Sequence, residues 1–434
     1  MENANKKREK QFHDSWAFIL FMLLTIILNT IYIFNTSNFV DVTVKFYNDY
    51  KLGQLLLGNL VFTISIIAFS LVLCYSVPKF LIILSILLVP AASIAAWFFG
   101  AKDSSYSTVV GTVLLIINLI FILIVSIVIL SHLDYIAKVI SVASLIFFMN
   151  ILGILLVITF VTSIFVLLSI PALLVDSTEP IIQNLRYLEI LMASWQFFIA
   201  LYFVQVFISS IIAAEVQKSG DVFGAAFTNS CYALGSISYG ALLVAIVTTL
   251  QAMIQDARSR NRDRNERPNL LLAITGAIAS LLLDILGDII KFANAIAFPY
   301  LSVNGTSYEE SVAKSFQILT NSGFEKVASI SGVGFVIFTM MLSFFGSSML
   351  FNYYFFLSYI GLSGDPTQNI IVSIVVTVLF GFIFGMVFSL LRAAVLALIY
   401  TTIAMPDETK EFDPEFVEIL NEKKRQFEPA EASH

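Results

Sequence analysis

The stretch VVGTVLLIINLIFILIVSIVIL, Val109–Leu130, decides what kind of molecule this is: its 22 residues include no charged side chain. About 20 apolar residues of helix are needed to cross the roughly 30 Å hydrocarbon core of a bilayer, and this run supplies them. Working outward, runs of the same kind occur at Trp16–Phe34, Leu55–Tyr75, Phe80–Phe99, Asn150–Val175 and Leu191–Ala214, each bounded by polar or proline-containing turns. Four more follow at Tyr232–Ile254, Leu270–Ile296, Gly332–Tyr359 and Ile370–Tyr400, the last two longer than a crossing requires and so tilted or extended beyond it. The fold class is an all-α, polytopic transmembrane helical bundle of about ten spans.

Composition excludes the soluble alternative. Hydrophobic residues make up 58% of the chain and charged residues 12%, against about 45–50% and about 25% in an average soluble domain. One membrane domain is expected over residues 16–405, between a short segment at 1–15 and an acidic tail at 406–434. That tail holds nine carboxylates against four Lys or Arg, which accounts for much of the net charge of −6. Cys74 and Cys231 are the only cysteines, so no disulfide framework and no cysteine metal site is available.

The N-terminal charges Lys6, Lys7, Arg8 and Lys10 precede an apolar run too long for a secretory signal and without a small-residue cleavage site. They place the N-terminus in the cytoplasm, and an even number of crossings returns the C-terminus there. Arg258, Arg260, Arg262, Arg264 and Arg267 crowd the connection after the seventh run, on the outer side under ten strict crossings. The alternative is that Tyr232–Ile254 and Leu270–Ile296 are partly re-entrant or broken, which leaves this connection inside and eight full spans. Two pieces are read as not crossing. The segment from His132 to Met149 carries Asp134 and Lys138 and suits a helix lying at the interface, and Asn304–Ser331 reads as surface helices.

Charged groups at membrane depth are costly and therefore few. The densest group is Asp284, Asp288 and Lys291 in LLLDILGDIIKFANAIAF, whose spacings of four and three residues stack all three on one helix face. Such a face either draws a cation or proton into an internal cavity or forms an ion pair snorkelling toward headgroups. Arg392, in FSLLRAAVLALIY, is the other deep charge, with a snorkelling or lipid-phosphate role. Trp195, Tyr202, Tyr239, Phe298, Tyr300, Tyr353 and Tyr354 can cage a quaternary ammonium through cation–π attraction, although such rings also gather at bilayer interfaces. Trp195-Gln196 stands out because an amide in an apolar run needs a partner. In YALGSISYGALLVAIV, Gly235, Ser236 and Gly240 permit close helix approach or a break that exposes backbone carbonyls. The chain has no GxxxxGK[ST] or HExxH motif, and His13, His132 and His434 lie outside the runs. Neither an enzyme nor an ATP-driven pump is expected, and no cofactor, metal or nucleic-acid partner.

Three stretches resemble one family, the choline transporter-like proteins, including fungal members. In Lys291–Leu319 the matching positions are Lys291, Phe292, Asn294, Ala297, Phe298, Gly305, Thr306, Ser311 and Phe316, in register without a gap. GSISYGALLVAIV, Gly235–Val247, is similar to the family's G-S-x-x-[FY]-G-[AS]-L-[IL]-x-A-I-V. FHDSWAFILF, Phe12–Phe21, resembles the D-x-P-F-x-I-L-F start of the first span, with Ala17 in place of Pro. The resemblance implies ten spans, cytoplasmic ends, a plasma-membrane location and movement of choline or a related amine. Substrate contacts are then expected from Trp195, Gln196, Ser236, Tyr239, Asp284, Asp288, Asn294 and Phe298. The chain departs from the family in its short first external loop, Asn35–Lys51, and in Arg392-Ala-Ala-Val-Leu where many relatives carry S-G-V-[DA]-T. Sequons at Asn35 and Asn304 make a glycoprotein possible on the outer face, and only Asn35 is outside under ten crossings. A non-transporting scaffold or lipid-interacting protein of the same fold is the competing reading. An enclosed polar cavity at mid-membrane favours the transporter, whereas Asp284 and Asp288 facing lipid or headgroups favours the scaffold.

Overall fold

The computed structural model describes residues 11–34, 50–100, 105–174, 180–263, 270–321, 324–355, 366–414 and 418, and among them every regular element is a helix. Two compact units divide the chain. The first comprises α1 (Ser15–Phe34), α6 (Ile151–Leu174), α7 (Pro180–Val216) as far as Ala214, α8 (Val222–Tyr232), α9 (Leu234–Asp263), α10 (Leu270–Asn304) and α11 (Tyr308–Asn321) as far as Gln317. The second comprises α2 (Tyr50–Ser76), α3 (Pro78–Gly100), α4 (Ser105–Ser131), α5 (Leu133–Met149), residues Glu215–Lys218, α12 (Phe324–Phe355), α13 (Pro366–Ala404) and α14 (Pro406–Phe412).

All ten apolar runs fall on helices over their described residues, save for turns at Asn150 and Ala233. Seven helices are long and apolar enough to cross a bilayer: α1, α2, α6, α7, α9, α12 and α13. The pair α4 and α5 makes an eighth if its 80° bend lies within one crossing. Of the rest, α3 has only a shorter apolar stretch, Pro78–Ile94, and α10 carries Asp284, Asp288 and Lys291 close together.

Two sequence expectations change here. The segment expected to lie at the interface, α5, instead packs against α2, α3, α12 and α13 and buries ten residues from Tyr135 to Phe147. Lys138 is paired with Asp413 at 3.2 Å in a largely buried position, whereas Asp134 stays exposed and pairs with Lys79 at 2.6 Å. Second, α9 and α10 are each continuous, so neither carries a break, while α10 is not among the candidate crossings and a count of seven or eight stays with the eight-span alternative. They run antiparallel, with Asn294 beside Gly240 and Asp284 beside Gln251. At 1.5 Å per residue the first arginine of the basic connection, Arg258, lies about 33 Å along α9 from Ser236. Near that far end Tyr187 donates to Asp256 at 2.6 Å, and Arg186 lies 3.8 Å from the same carboxylate.

Aromatic stacking fills the second unit: Phe344 on Phe384 at 4.4 Å, Phe384 on Phe388 at 4.5 Å and Phe62 on Phe351 at 4.3 Å. Asn352 donates to Thr377 at 3.0 Å, a buried polar tie between α12 and α13. In the first unit α10 stops at Gly305, whose φ of +65° suits a residue without Cβ, and whose N–H bonds the Leu301 carbonyl. The chain then turns directly into α11.

Candidate functional site

Three helix ends and one helix interior meet around Asp14. The backbone of Asp14 has φ +52°, a left-handed conformation that Asp tolerates better than most residues. Its carboxylate accepts from Ser236 Oγ at 2.6 Å and from the Tyr308 backbone N–H at 2.9 Å. One side chain thus fastens the start of α1 to the starts of α9 and α11. Gly235 permits this, because a Cβ there would run into the His13 carbonyl oxygen.

Beneath this anchor lies a buried polar link. Tyr308 donates its hydroxyl to Asn294 Oδ1 at 2.6 Å, and Asn294 Nδ2 donates to the Gly240 carbonyl at 3.0 Å. Both Asn294 and Phe298 are fully buried on α10. Gly240 admits them: a Cβ at that position would stand 2.7 Å from Phe298 and 2.8 Å from Tyr308. Burial pushes the Tyr308 phenol above its ordinary pKa, with Tyr202 and Tyr239 adding to the effect, so it stays protonated and remains a donor.

Rings continue outward from the link. Phe298 lies 4.7 Å from Tyr202 and 6.0 Å from Tyr308, Tyr308 lies 5.1 Å from Tyr239, and Tyr239 meets Trp16 edge-on at 5.2 Å. Trp16 is 51% exposed and Tyr239 is half-buried, so the outer end of the series is accessible. The Tyr239 hydroxyl donates to Glu309 at 3.4 Å, putting a second carboxylate beside Asp14. Open π faces next to two carboxylates attract a cation. Beside the cluster a recess of about 550 Å³, open to the outside, is lined by Gln11, His13, Tyr300, Thr306, Glu310 and Lys314.

Of the residues singled out in the sequence, Ser236, Tyr239, Asn294 and Phe298 come together in this cluster. Trp195 stands directly behind it, fully buried, its indole N–H donating to the Ser238 carbonyl at 2.8 Å and its ring 5.3 Å from Phe21. Gln196 finds its partner on α6, accepting from Ser169 at 3.3 Å. Asp284 and Asp288 are elsewhere: they lie ten and six residues back along α10 from Asn294, on an exposed face. There Gln251 donates to Asp284 at 2.7 Å and Lys291 lies 3.8 Å from Asp288. Sequence reasoning passed over Asp14, Trp16, Tyr308 and Glu309. Asp14 and Tyr308 were nevertheless present in the two motif stretches, as the acid of HDSW and the residue after GTS.

The comparisons with known proteins bear on this arrangement. A family profile described as plasma-membrane choline transporter matches residues 112–406, about two-thirds of the chain. The chain belongs to the plasma-membrane choline transporter family. Over 87 residues it is also 30% identical to a CTL-like protein of Dictyostelium discoideum, a match covering 20% of this chain and 14% of that protein's length. Ser236, Tyr239, Asn294 and Phe298 all lie inside the region that matches the choline transporter family, whereas Asp14 and Trp16 precede it. Membership makes this chain a multi-pass membrane protein of a transporter family rather than an enzyme family.

Proposed function

We propose that this protein moves choline or a related organic cation across a membrane, without ATP, through the first unit. The observation that carries the reading is the juxtaposition of accessible Trp16 and Tyr239 with the carboxylates of Asp14 and Glu309. A quaternary ammonium cannot donate hydrogen bonds or lose its charge, so only π faces and acids recognise it. Ser236, Asn294 and Phe298 form the wall behind those rings, and Trp195 and Gln196 support the wall from α7. Asp284 and Asp288 serve as an outer attraction for the cation along α10. The plasma membrane is the proposed location, with ten crossings, both ends cytoplasmic and Asn35 glycosylated outside.

The test is uptake of radiolabelled choline by proteoliposomes, with ethanolamine as competitor. Saturable uptake that falls at least tenfold in Tyr239→Ala and in Glu309→Gln supports the site. Uptake equal to the parent in both variants sinks it. A second reading, a membrane scaffold, draws support from the exposed faces of Asp284 and Asp288. Folded protein with no uptake above empty liposomes favours that reading.

A further inference from the structure

Among its described residues, the second unit contains a charge that it does not balance. Arg392 lies on α13, twelve residues before Ala404 and sixteen after Val376, the limits of that helix's apolar stretch. At 1.5 Å per residue these separations are about 18 and 24 Å, which puts the residue near the middle of a crossing. Its side chain is largely buried, and its Nε is shut off from solvent with no hydrogen-bond partner. Among the described residues no carboxylate forms an ion pair with it.

The sequence removes the usual remedy. Helices α2, α3, α4 and α13 contain no Asp or Glu, α5 and α12 contain one each, Asp134 and Glu325, the acids of α14 begin fifteen residues beyond Arg392, and Glu215 accepts from Asn150 at 2.8 Å. Asp134 is mostly exposed and pairs with Lys79. Glu325 is the second residue of α12. The antiparallel contacts of α12 with α13, Asn352 with Thr377, Phe344 with Phe384 and Met341 with Gly385, put Arg392 level with Gly334–Ile337. Glu325 is therefore about 14–18 Å away along α12 from that level. A Cβ on Gly334 would meet no atom within 4 Å, so there is open space beside α12 at this level. An isolated guanidinium at such depth is among the least favourable placements in a membrane protein, and it is retained where something neutralises it.

We propose that the second unit binds a small anion at Arg392. The guanidinium presents several N–H donors in a fixed plane, suited to chloride or to the oxygens of a phosphate. Two sources offer that chemistry, dissolved anion and the phosphate of a membrane lipid. The depth favours the dissolved anion, because a lipid phosphate sits at the headgroup level, about 15 Å from the bilayer centre. The site does not depend on what the first unit carries.

The experiment is thermal unfolding of the full chain in a maltoside detergent, which holds no phosphate, with sodium chloride against sodium gluconate at equal ionic strength. Chloride is expected to raise the unfolding temperature by about 2–4 °C at a tenfold excess over its dissociation constant. Arg392→Gln loses that rise, and Arg392→Lys keeps most of it. In a second arm, dioleoyl phosphatidic acid replaces chloride. Stabilisation by this lipid but not by chloride, lost in Arg392→Gln, upholds the anion site and assigns it to lipid phosphate. If the parent protein responds to neither anion, or Arg392→Gln responds as the parent does, the proposal is overturned. Should Arg392→Gln fail to fold, the parent and Arg392→Lys decide between these outcomes.

Discussion

Replacing Asp14 by alanine tests how the first unit is fastened. The carboxylate accepts two hydrogen bonds, from a buried serine hydroxyl at 2.6 Å and a backbone N–H at 2.9 Å. Bonds to a charged group are worth about 1.5–3 kcal/mol each when buried. Asp14 is half-exposed, so the low end applies, about 1 kcal/mol for each bond. Alanine also tolerates the φ of +52° less well than aspartate, at a further cost of about 1 kcal/mol. The expected total is about 3 kcal/mol for Asp14→Ala. It should be about 1 kcal/mol for Asp14→Asn, which keeps an acceptor and the tolerance for left-handed backbone. The assay is equilibrium unfolding in detergent, followed by tryptophan fluorescence. A cycle with Ser236→Ala should return a coupling of about 1 kcal/mol, because one bond is shared between the two sites. An Asp14→Ala protein as stable as the parent, or a cycle with no coupling, refutes the anchoring role.

Gly240→Ala inserts a methyl group 2.7 Å from Phe298 and 2.8 Å from Tyr308, so it should cost about 1–3 kcal/mol and lower choline uptake per folded molecule. Trp195→Phe keeps the ring against Phe21 but loses the bond to the Ser238 carbonyl, with an expected loss of about 1 kcal/mol by the same unfolding assay. On α14, the hydrogen bond and charge of Lys218 hold the Glu411 carboxyl below its ordinary pKa. A depressed folded pKa stabilises docking above the unfolded value of about 4.3 and is lost as pH falls below it. Protection from hydrogen exchange across residues 406–412, taken relative to the free amide at each pH, should therefore be constant from pH 7 to 5, fall below about pH 4, and be low at every pH in Lys218→Glu. Asn304 is 8% exposed and its amide donates to the Tyr300 carbonyl. An endoglycosidase-sensitive shift in mobility should vanish in Asn35→Gln and persist in Asn304→Gln.

The helices were legible because the cost of an unsatisfied backbone in hydrocarbon leaves an apolar run little choice of structure. Hence Trp16–Phe34 could be drawn within one residue of its observed limits, whereas the helix that holds Leu191–Ala214 starts eleven residues earlier, at Pro180. The packing of α5 was missed because its lysine reads as a surface charge, as its exposed Asp134 is. Their partners, Asp413 and Lys79, are 275 and 55 residues away in the chain. No local pattern reveals such a pairing. The site was legible by half for a related reason. Ser236 was marked by the small residues of GSISYG, Tyr239 and Phe298 by their rings and Asn294 by the family pattern, and the structure brings these four together. The spacing of Asp284, Asp288 and Lys291 fixed that they share a helix face but not where that face looks.

By itself, then, the sequence determined an all-helical membrane bundle, the place of each apolar run, and the motifs that ally the chain with choline transporters. These follow from hydropathy and short-range spacing, which are properties of neighbouring residues. Tertiary structure alone decided that Asp14 closes on Ser236 and Tyr308 across 222 and 294 residues, that the two aspartates of α10 turn outward, and that Arg392 pairs with no acid among the described residues. Each of these depends on which helix ends meet, and that is set by packing over the whole unit rather than by any one segment of it.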